Sequence, residues 1–217
     1  MKRVFLNTIY SLFALLLSFC SFGQGTVKNG VVVDAKAQGI ITNAASRISK
    51  DSPLSFSFSS INKGEKKAQR GSVLLSGGKY VASFASNTIY CDGKSVWSYN
   101  PQTNEVNIND IDATGNDMIN ISTFISNANK NFRPKLIRKQ GVNYILDLTP
   151  NHKSSISKVR LAINSSIYRL SSMEVHYYSG NIVSFNISNY KAKAKTTANS
   201  FVFPKKKYPK AQIVDLR

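Results

Sequence analysis

Asn87-Thr88-Ile89-Tyr90-Cys91-Asp92-Gly93-Lys94-Ser95-Val96-Trp97-Ser98-Tyr99-Asn100-Pro101 holds two short runs rich in β-branched and aromatic residues, joined by Asp-Gly. Such side chains suit a pleated, half-buried surface, and Asp-Gly is the strongest short hairpin signal in the chain. The stretch predicts strands over Asn87 to Cys91 and Ser95 to Tyr99, folded back on one another, with Asn100-Pro101 turning the chain again.

The pattern continues outward on both sides. Ser72 to Ser76, Lys79 to Phe84 and Glu105 to Ile108 read as further short strands, punctuated by Gly77-Gly78 and Ser86-Asn87. Spacing this close leaves no room for the crossover helices of a parallel sheet, so the reading is an antiparallel meander and not a doubly wound fold. Upstream, Ala37, Ile40, Ile41, Ala44, Ala45 and Ile48 recur at three- and four-residue steps, predicting a helix over Asp34 to Lys50 with Asp34 as its cap. Pro53 ends it, and Leu54-Ser55-Phe56-Ser57-Phe58-Ser59 alternates as a strand with one buried face.

Downstream, Met118, Ile121, Phe124, Ile125 and Ala128 form one stripe of a second helix between Asn116 and Phe132. Strands resume at Leu136 to Lys139, Asn143 to Leu148, Lys158 to Asn164, Tyr168 to Tyr178, Ile182 to Tyr190 and Ser200 to Phe203, with a polar loop over Lys191 to Asn199. The total is eleven or twelve strands and two helices, with no internal repeat. The fold class is mainly β with α: one large, strongly curved sheet with helices on one face.

Composition bounds the function. The chain has 217 residues, a net charge of +18, 42% hydrophobic and 11% aromatic residues, which suits one globular domain and excludes disordered, collagenous and multi-span membrane classes. Lys2 and Arg3 precede an apolar run from Val4 to Phe19, and the small residues Ser21 and Gly23 fit a signal-peptidase site. Residues 1–23 are therefore read as a secretory leader and 24–217 as a single domain. Lipidation at Cys20 is disfavoured because Phe19 stands where a small residue is needed. Lys2 and Arg3 leave with the leader and no acidic residue does, so the mature charge is +16. That charge favours encounters with anionic surfaces. With one tryptophan and no nucleic-acid module, it does not indicate DNA or RNA binding.

Catalytic motifs are absent: no Gly-x-Ser-x-Gly elbow, phosphate loop, dinucleotide fingerprint or His-Glu-x-x-His. His152 falls in a turn beside Asn151, and His176 in a strand on the same face as Glu174; both read as structural. Asp110-Ile111-Asp112-Ala113-Thr114-Gly115 matches three positions of a calcium loop but has Ile121 where the closing glutamate belongs. The segment reads instead as a turn, with Asp112, Thr114 or Asn116 capping the second helix. Cys91, the one cysteine of the mature chain, reads as a small buried residue. The expectation is no enzyme, no metal and no cofactor. A curved sheet capped by two amphipathic helices encloses either an apolar cavity or a solid core, and periodicity alone leaves both open.

The central Asp92-Gly93-Lys94 through Trp97, Tyr99, Asn100 and Pro101 resembles the most recognisable stretch of the LolA family of periplasmic outer-membrane lipoprotein carriers. The resemblance extends to the opening helix, the Phe56-x-Phe58 strand, the hairpin from Gly71 to Phe84 and the closing Tyr208-Pro209 and Val214-Asp215-Leu216-Arg217. It implies an unclosed antiparallel β-barrel of about eleven strands covered by a lid of amphipathic helices. It further implies a monomeric periplasmic carrier that shelters the acyl chains of lipoproteins and moves them from the inner to the outer membrane. The implied partners are acylated lipoproteins, an inner-membrane lipoprotein-releasing transporter and an outer-membrane acceptor.

With alternation and helix faces, the cavity walls are expected at Phe56, Phe58, Val73, Leu75, Tyr80 and Phe84 from strands, and Ile40, Ile41, Ala44, Met118, Ile121, Phe124 and Ile125 from the lid. Trp97 and Tyr99 are read as structural packing. One departure stands out: the arginine with which the family, by this resemblance, holds its lid falls at Ser76 or Gly77 here, neither of which can make those bonds, so the expectation is a lid that is held differently or is looser. The alternative functions are a carrier or sensor of another lipid or amphiphile in the same fold, and a basic surface-binding module without a cavity.

Overall fold

The computed structural model describes residues 26–28, 31–111, 120–197 and 199–217. The expected leader lies outside the described residues, as do Met118 and the candidate caps Asp112, Thr114 and Asn116. The residues described before Lys36 belong to a unit of their own, in which β1 (Thr26–Lys28) pairs antiparallel with β2 (Val31–Val33).

In the second unit, α1 (Ala35–Asp51) leads into a meander of β3 (Leu54–Asn62), β4 (Gln69–Ser76), β5 (Lys79–Phe84), β6 (Asn87–Cys91), β7 (Ser95–Asn100) and β8 (Glu105–Asp110). After α2 (Ile121–Asn131) comes a second meander of β9 (Phe132–Gln140), β10 (Asn143–Pro150), β11 (Ile156–Asn164), β12 (Leu170–Tyr177) and β13 (Ile182–Ala192), and then β14 (Gln212–Asp215). β13 pairs with β3 and fuses the meanders into one twelve-stranded sheet, ordered β14-β8-β7-β6-β5-β4-β3-β13-β12-β11-β10-β9. Its outermost strands, β14 and β9, do not pair with each other, so the barrel is unclosed, as expected.

Both helices form where their apolar stripes predict. Ala37, Ile40, Ile41, Ala44 and Ile48 of α1 and Ile121, Phe124, Ile125 and Ala128 of α2 are buried. They share one core with Leu75 and Val96 of the first meander and with Leu146, Leu148, Val159, Leu161 and Ile163 of the second. Full burial of each large aliphatic side chain contributes about 1.5–3 kcal/mol, which places most of the stabilisation at this helix-on-sheet layer.

The structure corrects the sequence reading at several points. Ser200 to Phe203 is a turn and not a strand; Phe201 and Phe203 are buried as separate plugs. Phe203 packs against Tyr90, Tyr99 and Tyr208, with ring centroids 5.6–5.8 Å away, in a second cluster with Val106 and Ile108. This cluster covers the face of β7 opposite Val96, so β7 is buried on both sides, and Trp97 and Tyr99 belong to its packing. The missing strand is supplied by β14, which runs parallel to β8 because the chain returns through the long segment after β13 and not through a hairpin. The polar loop starts two residues later than expected, since β13 continues to Ala192.

Candidate functional site

Two rows of side chains cross the inner face of the first meander. In the first, Phe56, Val73, Ala82 and Ile89 are direct cross-strand neighbours; in the second, Ile187, Phe58, Gly71, Phe84 and Asn87 are. Gly71 has no side chain, and the Phe58 ring lies in the space this leaves: a Cβ built there would stand 2.3 Å from Phe58 Cζ and 2.6 Å from the Ser83 carbonyl oxygen. Phe58 thus stacks on Phe84 at 5.6 Å across the glycine strand and tilts against Phe185 at 6.0 Å.

These rows form one wall of a cavity of about 410 Å³. The opposite wall comes from Leu170, Met173, Val175 and Tyr177 of β12 and Val183 and Phe185 of β13, with Ile121 entering from α2. Asn87 and the hydroxyl of Tyr177 are the polar groups of the lining side chains. The size falls in the range of small-ligand sites, about 300–1,000 Å³, and apolar walls with few polar groups suit a hydrocarbon. Phe56, Val73 and Val175 are buried, Phe58, Val183 and Phe185 are half-buried, and Phe84 is 37% exposed. The cavity therefore opens at the strand ends where β3 meets β4, β5 meets β6 and β12 meets β13.

Of the residues expected to line a cavity, Phe56, Phe58, Val73, Phe84 and Ile121 line this one. Leu75, Tyr80, Ile40, Ile41, Ala44, Phe124 and Ile125 are buried in the adjoining core. Burial raises the Tyr80 phenol to about 12, helped by the neighbouring Cys91, so it stays neutral. The β12 and β13 lining was missed by sequence reasoning. Its alternation, Met173-x-Val175-x-Tyr177 and Val183-x-Phe185-x-Ile187, carries the signal, but the β13–β3 pairing that brings it opposite Phe58 does not show in any local pattern.

Asparagine side chains tie α2 to the sheet and to α1. At Gly77 the backbone carbonyl accepts a bond from Asn120 Nδ2 at 3.3 Å, while Asn120 Oδ1 caps α2 by accepting from the Ser122 and Thr123 amides at 3.1 and 3.2 Å. Asn120 is thus both cap and tether, and it takes the capping role expected of Asp112, Thr114 or Asn116. Asn129 Nδ2 donates to the Gln38 carbonyl at 3.1 Å and to Thr42 Oγ1 at 3.2 Å, joining α2 to α1. At the far end of α2, Asn151 Nδ2 donates to the Lys130 carbonyl at 2.9 Å.

The last turn of α1 is fixed by the buried carboxylate of Asp51. It accepts from Arg47 Nε and Arg169 Nε, both at 3.0 Å, and from the Tyr190 hydroxyl at 2.8 Å, while the Arg169 guanidinium lies 4.3 Å over the Tyr190 ring. Burial alone would raise this carboxyl, but the bonds from Arg47, Tyr190 and Arg169 outweigh it and hold its pKa below the ordinary value. Burial, with the bond to Asp51, pushes the Tyr190 phenol up in turn.

The remaining reactive groups lie away from the cavity. Glu174 and His176 pair at 3.2 Å on the face of β12 opposite Met173 and Val175. Cys91 is fully buried, and burial pushes its thiol up, away from the nucleophilic thiolate. No group of three metal-ligating side chains occurs among the described residues, and none of their helices is long and apolar enough to cross a membrane.

Residues 81–204 match the family described as outer membrane lipoprotein carrier protein LolA. No curated protein matches the sequence. Among solved structures, an uncharacterised conserved protein of Thermus thermophilus superposes with a TM-score of 0.59 at 16% identity, covering 83% of this chain and 99% of its own. That likeness is one of fold. A LolA superfamily protein of Nitrosomonas europaea (17% identity, 76% of this chain, 96% of its own) gives a TM-score of 0.44. An outer membrane lipoprotein-sorting protein domain of Vibrio parahaemolyticus (14% identity, 80% and 98%) gives 0.48.

Proposed function

Because the chain belongs to the outer membrane lipoprotein carrier (LolA) family, we propose that it is a periplasmic, non-enzymatic carrier that takes up the acyl chains of lipoproteins released at the inner membrane and delivers them to the outer membrane. The observation that carries this reading is the apolar cavity of about 410 Å³ between the Phe56–Phe58 strand and β12–β13. Each methylene moved from water into such walls gains about 0.8 kcal/mol, so an acyl chain is held firmly against water. A bilayer offers hydrocarbon of equal quality, so the same chain transfers out with little net change in free energy. Carriage needs that balance and no catalytic group. In this reading the leader ends at Gly23, an inner-membrane transporter loads the chain, and an outer-membrane acceptor unloads it.

The test is to express the chain with its leader in a bacterial host, isolate it from the periplasm without detergent and identify what is bound by mass spectrometry. Acylated lipoproteins or their lipopeptides on the wild-type chain, and their loss from Phe185→Glu, are expected. Free lipid alone would transfer the cavity to another amphiphile. An empty protein that also excludes apolar fluorescent probes would remove the carrier reading.

A further inference from the structure

The turns around the cavity opening carry an unusual set of side chains. The β3–β4 connection presents Lys63, Lys66 and Lys67, and the start of β4 presents Arg70; all are exposed, and none is in an ion pair among the described residues. The connection is held beside the opening by the Lys63 amide, which donates to the Ile182 carbonyl at 2.8 Å, and by Asn62 pairing with Val183. Its one acid, Glu65, accepts a bond from Asn62 Nδ2. Lys153 adds a further cation on the β10–β11 turn at the same strand ends. Two aromatic rings stand among these charges: Phe84, on the cavity rim, and Tyr178, 76% exposed on the β12–β13 turn.

Four aspartates lie away from the opening. Asp51, Asp92, Asp110 and Asp215 all lie at the opposite strand ends, where α1 stops, β6 turns into β7, and β8 and β14 finish. At the level of the opening, Glu105 starts β8, well across the sheet from β3. The opposite strand ends carry cations too, but Asp51, Asp92, Asp110 and Asp215 stand among them, whereas the β3–β4 cations have Glu65 as the one acid on their connection and exposed aromatic rings at their level. Cations with aromatic rings at their level are the combination that suits the headgroup layer of an anionic bilayer.

We propose that this end of the molecule docks on an anionic phospholipid surface, with Lys63, Lys66, Lys67 and Arg70 among the headgroups and Tyr178 and Phe84 at the hydrocarbon boundary, so that the cavity opens directly onto the membrane. This rests on the carrier reading for its purpose, but docking is measurable without cargo. Each cation near such a surface strengthens partitioning about fivefold, and the effect fades as salt shortens the screening length to about 10 Å at 0.1 M.

The experiment is co-sedimentation of the purified chain with vesicles of phosphatidylcholine alone, or of an equimolar mixture with phosphatidylglycerol. Two variants carry equal net charge: Lys63→Glu/Lys66→Glu/Lys67→Glu/Arg70→Glu, and a control at the opposite strand ends, Arg138→Glu/Lys139→Glu/Lys191→Glu/Lys195→Glu. Circular dichroism checks that both fold. The expected result is salt-sensitive binding to the mixed vesicles only, weakened at least about a hundredfold in the first variant and far less in the control. Tyr178→Trp should shift its emission to the blue on binding, after subtraction of the Trp97 signal. Equal losses in both variants, no shift at residue 178, or binding to an acidic peptide but not to vesicles would each overturn the proposal. Failure here with acyl cargo still found by mass spectrometry would leave the carrier reading intact.

Discussion

Gly71 shows how one missing side chain shapes a cavity. The Phe58 ring occupies the space a Cβ would need, and the Ser83 carbonyl closes the remaining side. Gly71→Ala should therefore push the ring out of its stack with Phe84, cost about 1–3 kcal/mol of stability and weaken binding of an apolar probe. Phe58→Leu in the same chain should restore the part of the stability lost to the ring contact but not the part lost to the Ser83 carbonyl; thermal melts and probe titrations of the single and double variants check this. Asp51 supplies a second residue-level test. Its carboxyl titrates lower in the folded chain than in the unfolded one, so its contribution is complete above the ordinary carboxylate range and is lost as pH falls through the folded value. Asp51→Asn should lower stability by about 3 kcal/mol at neutral pH, leaving Arg47 and Arg169 without their anion, and the gap to wild type should narrow below about pH 4 in urea melts. The sequence reading named neither Arg47 nor Asp51, although their i, i+4 spacing on a helix is a local signal; Arg169 and Tyr190, more than a hundred residues away, leave none.

At the level of the element, α2 is held by the side chains of Asn120, Asn129 and Asn151. Asn120→Ala removes a cap and the bond to Gly77 together, and should cost about 1–2 kcal/mol. Hydrogen exchange should rise across Ile121–Asn131 while the amides of β10 and β11 stay protected. If the whole sheet loosens equally, α2 is not a separately anchored cover. The helix itself was legible because Ile121, Phe124, Ile125 and Ala128 fall on one stripe, and β3 was legible because serine alternates with Leu54, Phe56 and Phe58. Ser200 to Phe203 misled because two phenylalanines separated by one residue look the same whether they face a sheet core or plug a loop. β14 carries the reverse lesson: four residues pairing parallel with β8 leave no hairpin signal next to them.

At the level of the molecule, the large curved sheet followed from the count of short strands and the absence of crossover helices. Whether it held a cavity did not follow, because that depends on which rows of β3–β6 face which rows of β12–β13. A bound acyl amphiphile should stabilise the chain by mass action, by about 2.7 kcal/mol at a hundredfold excess over Kd, and Phe185→Glu should abolish the rise in melting temperature. The free edges at β14 and β9 bear on what can be carried. A closed barrel has its girth set by strand number and stagger, and can widen only by breaking its hydrogen-bonded seam. This sheet has no seam between its outermost strands, so it can uncurl slightly with every ladder intact. In a carrier, such a wall would let cargoes of different bulk be fitted by bending the sheet instead of by rebuilding it.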